Sequence, residues 1–541
     1  MVRAEGSYSR ADMSHVTTPE PPRVMEPFTL QPSEPLPPAA VPSPEGADRI
    51  HPRVPFSRKI ALTGLSLALL LAVPYAHPAL SRLRLLAARA PVAAPMEEAI
   101  AAPIAEVTGE TSLPGETQDQ QNRGKELAAA PVDARSPIAK SKGEDPQPTV
   151  ARADGMVPKR SIEDPGGHAL DTLYEKLARV ERKEAGAIAR ILYYGDSIVG
   201  SDFVTGKLRR LLQTRFGDAG HGYALLANAW PGWFHLDVSR KASADWKVSR
   251  VIGPFAEDGL YGLGGVSFRA EQPDAWARFA TADMDEWGRS VSRFEIEYLA
   301  QPGGGDLALI VDEQRTGVLQ TAGESVKHAV HRVDVPDGAH SLEVRTIDNR
   351  PVRAFGIRME REVPGVTLSA LGVTGARARF LDKSDDAHWG EALRAAQPDL
   401  MVLAYGSNET TDGMMYPLVE YEATLRSLMR QIRAALPKAS LMLVGPPDMA
   451  THAEGTMHTR PTLPVLVKIQ RKLAAEEGWA FWDQFMAMGG AGSMWAWIKT
   501  GMGSTDMFHP TGQGGNALGN LQYRALLEGF EKYKARAEAP R

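Results

Sequence analysis

The 541-residue sequence contains no cysteine. This excludes disulfides, thiolate metal sites and a cysteine nucleophile, and it leaves the compartment open, because disulfide-free proteins occur on both sides of a membrane. Charge of one sign is also scarce: a net charge of -5 offers no concentrated basic face, so nucleic acid is set aside as a partner. His221, His235, His388, His452 and His458 are present, but no two share ligand spacing on a common helix, and no zinc site is expected. Internal repeats and coiled-coil heptads are absent as well.

Proline, by contrast, is abundant at 40 residues, more than folded domains of this size normally need, so part of the chain reads as extended linker. Residues 1–52 are rich in Pro, Ser and Glu and are expected to form a disordered tail. Residues 53–89 hold a stretch, Ile60 to Ser81, without Asp, Glu, Lys or Arg, long enough as a helix to cross about 30 Å of hydrocarbon. Arg53, Arg58 and Lys59 before it favour a cytoplasmic N-terminus, and Arg82, Arg84 and Arg89 after it weaken that orientation. A cleaved signal peptide is the alternative, since the apolar block Ile60 to Ala76 is near signal length, and a buried core helix is a third reading. Residues 90–165 return to Ala/Pro-rich, polar texture and read as a spacer.

Globular sequence begins at about 166. Leu170, Leu173, Tyr174, Leu177 and Val180 recur at helical spacing, and Ile191 to Tyr194 form a short apolar run that stops at Gly195-Asp196-Ser197. Val366 to Leu371, Asp399 to Tyr405 and Ser440 to Val444 end in the same way, at Gly372, Gly406 and Gly445. Strands alternating with helical sequence predict an α/β domain whose parallel sheet is covered on both faces, with ligands bound beyond the carboxyl ends of the strands. Between the first two runs the texture changes to period-two alternation, as in Phe294, Ile296, Tyr298 and Leu307, Leu309, Val311, broken by Gly- and Pro-containing turns. An all-β sandwich, residues 235–362, is therefore placed inside an α/β domain made of residues 166–234 and 363–535.

Ser197 follows a strand and a glycine, where a sharp turn can lift its hydroxyl above the sheet edge; taken alone, Gly-Asp-Ser is a plain turn. Asp506-Met507-Phe508-His509-Pro510 puts a carboxylate three residues before an imidazole, close enough for the acid to accept the Nδ1 proton, although such pairs are common at surfaces. Asn408, in Gly406-Ser407-Asn408-Glu409, can aim an amide donor across the same crevice, and Ser197 and Gly375 offer backbone N–H groups, which together make an oxyanion hole. Asp202 and Asp448 read as loop or capping residues. Trp230 and Trp233 read equally as a platform for a sugar ring and as core packing.

Gly195-Asp196-Ser197, Gly375, Gly406-Ser407-Asn408-Glu409 and Asp506-x-x-His509-Pro510, in that order, resemble the SGNH (GDSL-like) hydrolases. The resemblance implies a flavodoxin-like three-layer α/β/α fold, a Ser197–His509–Asp506 triad, an oxyanion hole of Ser197, Gly375 and Asn408, and neither metal nor cofactor. Ile198 departs from the usual leucine, and the glycine block lacks the common acidic residue after its second glycine, which leaves Gly372 as a rival to Gly375. The β insert, together with Phe481-Trp482-Asp483, Met488-Gly489-Gly490, Met494 and Trp497, is similar to bacterial peptidoglycan O-acetylesterases, whose insert is carbohydrate-binding-like. That branch implies an O-acetylated envelope glycan as substrate and a single-pass inner-membrane protein with its catalytic body in the periplasm or outside the cell. An envelope O-acetyltransferase using the same triad and a non-catalytic glycan-binding protein are the competing expectations.

Overall fold

The computed structural model describes residues 161–230, 233–283, 286–412, 416–453 and 456–539. The expected tail 1–52, the membrane segment 53–89 and the linker up to residue 160 lie outside the described residues. Among the described residues no helix is long and apolar enough to cross a membrane.

Five parallel strands organise the α/β body: β1 Ile188–Gly195, β2 Gly365–Gly372, β3 Leu400–Ala404, β4 Ser440–Val444 and β5 Ala480–Trp482, in the spatial order β2-β1-β3-β4-β5. This is the flavodoxin-like order, and the chain reverses direction across the sheet on either side of β1. Side chains alternate along each strand, so each strand supplies two cores. Ala189, Ile191, Tyr193, Val366, Leu368 and Val402 pack with helices α1 Asp171–Glu181, α2 Phe203–Phe216 and α6 Gly512–Glu538. Leu192, Tyr194, Met401, Leu403, Leu441 and Leu443 face the other way, toward α3 Asp386–Ala396, α4 Leu418–Ala435 and α5 Thr462–Glu476. Burial on both faces is why these strands are nearly continuous runs of apolar residues.

The segment between β1 and β2 forms two antiparallel sheets. One holds Lys327–Gly338, Val291–Ala300, Val352–Glu360, Val266–Ala270 and Lys247–Arg250; the other holds Ser239–Ala242, Trp276–Ala280, Ser341–Thr346, Asp306–Val311 and Gln314–Gln320. Phe268, Phe294 and Ile357 from the first share one apolar cluster with Phe279, Leu309 and Val344 from the second, as the inner faces of a sandwich do.

Two boundaries fall earlier than the sequence suggested. The strand Gly222–Leu225, ahead of residue 235, pairs with Val352–Glu360 and so belongs to the sandwich. Glu163, inside the expected linker, exchanges two backbone hydrogen bonds of 2.8 Å with Phe481 of β5. Both segments are too short for hydrophobic periodicity to register.

Sandwich and α/β body share more than apolar contact. Tyr194 of β1 donates its hydroxyl to the carbonyl of Leu263 at 2.6 Å. Arg190, also on β1, makes a bidentate pair with Glu360 at 2.8 and 2.9 Å, and Arg293 approaches the same carboxylate at 3.4 Å. Burial works to raise the Glu360 carboxyl, but hydrogen bonds from Arg190 and the nearby Arg358 and Arg293 charges more than offset it and hold it below the ordinary glutamate range. Removing one partner of such a pair strands the other charge. Glu360→Gln is expected to lower the unfolding free energy by roughly 3 kcal/mol at neutral pH, measured by urea titration. The sign with pH is that of a depressed acid: the contribution is complete above the usual glutamate pKa and is lost as pH falls through the folded value, so wild type and variant converge on acidification.

Candidate active site

The register of the sheet brings three loops level. Gly195 at the end of β1 lies between Gly372 of β2 and Ala404 of β3, so the chain leaves all three strands at one height. Crowding at this point requires glycine. A Cβ on Gly195 would sit 2.3 Å from Val199 Cγ2 and 2.8 Å from the Ala404 carbonyl, and one on Gly372 would sit 2.1 Å from the Gly200 nitrogen.

Directly after Gly195, the buried Asp196 caps the short helix Ser197–Gly200 by accepting the Ile198 N–H at 3.0 Å. Burial pushes the Asp196 carboxyl above its ordinary range. The cap fixes the turn and sets Ser197 at the first helical position.

Across the crevice, His509 Nε2 lies 2.7 Å from Ser197 Oγ, a contact between residues 312 apart in sequence. On the other side of the imidazole, Nδ1 lies 2.7 Å from Asp506 Oδ2. Asp506 Oδ1 accepts the backbone N–H groups of Phe508 at 2.8 Å and His509 at 2.9 Å. Met507 takes a left-handed φ of 63°, which lets the chain double back within three residues. Burial alone would raise Asp506; the hydrogen bonds from His509 and the two backbone N–H groups prevail and hold it at about 2. The aspartate is therefore ionised at every pH at which an imidazole titrates, which fixes Nδ1 as the donor toward it.

The third wall carries Gly375 and Asn408. Gly375 has φ +79° and open space where a Cβ would point, whereas Gly372, the rival for its role, is wedged against the backbone of the serine turn. Asn408 donates through Nδ2 to the Ala376 carbonyl at 3.0 Å, which ties the two loops together. Arg377 reinforces the tie: it donates to the Gly375 carbonyl at 2.9 Å and forms a fork with Asp412, whose other oxygen takes Arg379 at 2.6 Å. Arg377, Arg379 and Asp412 carry no signal in the sequence beyond charge near two loops, and Glu409 stands in the Gly406–Glu409 motif without a role that the sequence assigns.

Other candidate residues play structural parts. Asp202 takes φ 54° at the start of α2 but makes no cap; it is fully buried and pairs with Arg209 at 2.8 Å while accepting the Leu236 N–H at 2.9 Å. Asp448 accepts from Thr459 at 2.8 Å and from the Met494 N–H at 2.8 Å, holding the hairpin Ala450–Ala453 with Thr456–Thr459 against the helix Ser493–Lys499. Trp230 and Trp233 are buried in the core. The Trp233 ring is stacked with His235 at 4.4 Å and covered by the Arg240 guanidinium at 4.0 Å, which removes it as an open sugar platform. His221 and His235 are paired at 3.0 Å in the interior, remote from the Asp506 turn in the chain. Among the described residues no group of three His, Asp or Glu side chains is arranged to hold a metal ion.

This is the arrangement of an ester hydrolase: a hydroxyl, an imidazole and a carboxylate in sequence, over the carboxyl edge of a parallel sheet at its switch point. Residues 338–517 match the GDSL-like lipase/acylhydrolase family, a span that includes Gly375, Asn408, Asp506 and His509. That segment is similar to a GDSL-like lipase/acylhydrolase domain, and the chemistry that it supports is carboxylic ester hydrolysis. Among curated proteins none matches the sequence. Among solved structures, a peptidoglycan O-acetylesterase is 24% identical with a TM-score of 0.59, covering 69% of this chain and 99% of its own, and so shares the fold. A family two carbohydrate esterase from Cellvibrio japonicus is 12% identical over 54% of this chain and 98% of its own, with a TM-score of 0.23. An acetylxylan esterase from Geobacillus stearothermophilus is 22% identical over 31% of this chain and 73% of its own, also at 0.23.

The crowding at Gly195 makes a direct prediction. Gly195→Ala is expected to displace the serine turn and to cost about 1–3 kcal/mol through overpacking, read as a lower urea midpoint together with loss of ester turnover.

Proposed function

We propose that the chain removes acetyl groups from an O-acetylated cell-envelope glycan, with peptidoglycan as the favoured substrate. The observation that carries this reading is the pair of 2.7 Å contacts that link Ser197 through His509 to Asp506. In the proposed mechanism His509 Nε2 takes the Ser197 proton as Oγ attacks the acetyl carbonyl. The resulting oxyanion is held by the backbone N–H groups of Ser197 and Gly375 and by the Asn408 amide, whose second hydrogen remains for it once the first is given to Ala376. The imidazolium, stabilised by ionised Asp506, then protonates the departing sugar oxygen. Water, deprotonated by the same histidine, hydrolyses the acetyl-serine to acetate.

The choice of an acetylated glycan draws on the shared fold with a peptidoglycan O-acetylesterase and on the sandwich inserted between β1 and β2. The charge-free stretch Ile60 to Ser81 supports a membrane anchor that exports the catalytic body to the envelope, a reading that rests on sequence alone.

Ser197→Ala is expected to abolish acetate release from O-acetylated peptidoglycan, a loss of at least about 1,000-fold, with an unchanged far-ultraviolet circular dichroism spectrum. Undiminished release by this variant would overturn the assignment. Acetate appearing from acetylated xylan but not from peptidoglycan would keep the mechanism and move the substrate. Asp506→Asn frees the imidazole to take the wrong tautomer and is expected to lower kcat by about 1,000- to 10,000-fold, measured with p-nitrophenyl acetate.

A further inference from the structure

The mechanism uses two donors, on Gly375 and Asn408, that come from different loops after different strands. Their spacing is not set by the sheet, because two residues separate Gly372 from Gly375 and three separate Ala404 from Asn408. A third group spans the gap. Glu409, buried at the start of the short 3-10 turn Asn408–Thr411, accepts the Ala378 N–H on Oε1 at 2.8 Å and the Gly406 N–H on Oε2 at 3.0 Å. Ala378 opens the 3-10 turn that follows the Gly375 loop, and Gly406 opens the turn that presents Asn408. One carboxyl group thus bolts the two oxyanion loops to each other from behind, while Asn408 and Arg377 tie them from the front.

We propose that Glu409 is a positioning residue for ester hydrolysis: its carboxyl group, bridging the Ala378 and Gly406 amides, fixes the distance between the Gly375 and Asn408 donors. This rests on the acyl-transfer reading of the site. The chemistry of the bridge demands a carboxyl group. Both partners are N–H donors, so both Glu409 oxygens must accept; a glutamine of the same size would turn an NH2 toward one of them. A mismatch of about 1 Å between such donors is enough to cost on the order of 100-fold in rate.

The groups facing the carboxyl are Asp196, of like charge, Arg377, of opposite charge, and the hydroxyls of Tyr405, Tyr416 and Tyr421. Burial dominates and lifts Glu409 to about 7. Folding therefore favours its protonated form, and ionisation weakens stability as pH rises from the ordinary glutamate range to about 7. The bridge itself is strongest when the carboxyl is ionised and accepts on both oxygens, so stability and donor alignment pull in opposite directions across that window.

The test is steady-state hydrolysis of p-nitrophenyl acetate by the full chain carrying Glu409→Gln, Asn408→Ala or both. Glu409→Gln is expected to lower kcat by about 10- to 100-fold with KM within about threefold, since the loss falls on the transition state. In the double variant the two losses are expected not to multiply, because both act through the Asn408 donor. Ala378→Pro provides a second route should Glu409→Gln misfold. It deletes one N–H of the bridge at the first position of a 3-10 turn, after Arg377 at φ -122° and ψ 152°, a conformation that tolerates a following proline. The same fall in kcat at constant KM is expected. Turnover within threefold of wild type in either folded variant, or losses that multiply with Asn408→Ala, would overturn the proposal. Failure of the hydrolase reading looks different: there the wild-type chain itself releases no p-nitrophenol above the Ser197→Ala background.

Discussion

A hydroxyl from the beginning of the catalytic fold and an imidazole from its end meet at 2.7 Å, although 312 residues separate them. Everything else in the site serves that meeting. The parallel sheet makes it feasible by ending β1, β2 and β3 at one height, so that the serine turn and the Gly375 and Asn408 loops leave the sheet together. The sandwich of antiparallel strands is inserted between β1 and β2, and its own core fuses with one helical layer.

Electrostatics in the crevice are graded. Asp506 is held at about 2 by hydrogen bonds from the imidazole and the adjacent backbone, whereas Glu409, with burial dominant, rises to about 7. Two carboxyl groups in one site thus differ because Glu409 is more deeply buried and receives hydrogen bonds from backbone amides alone, whereas Asp506 also receives one from an imidazole that can carry positive charge. The first suits a group that must stay ionised beside an imidazolium. The second suits a buried brace whose two oxygens both accept amide hydrogens.

Much of this was legible in the sequence where the signal is local. β1 to β4 announce themselves as apolar runs that stop at a loop, and the turn from Asp506 to His509 is contained in four residues. β5 spans three residues and Gly222–Leu225 four, too few for any periodicity to register. Glu409 stood in a quoted motif without a role, and Arg377 and Asp412 left no trace, because ties between loops from different strands have no characteristic spacing. Trp233 shows the opposite limit. Its residue type suits a sugar platform as well as a core, and only the His235 and Arg240 groups covering its ring decide between them.

The central claim is that Ser197 is made nucleophilic by His509. It is tested most directly by treating the chain with diisopropyl fluorophosphonate and locating the adduct by peptide mass spectrometry. A single adduct on Ser197 that disappears in His509→Ala is the predicted result. An adduct on another residue, or labelling of Ser197 that persists undiminished without the imidazole, would contradict it.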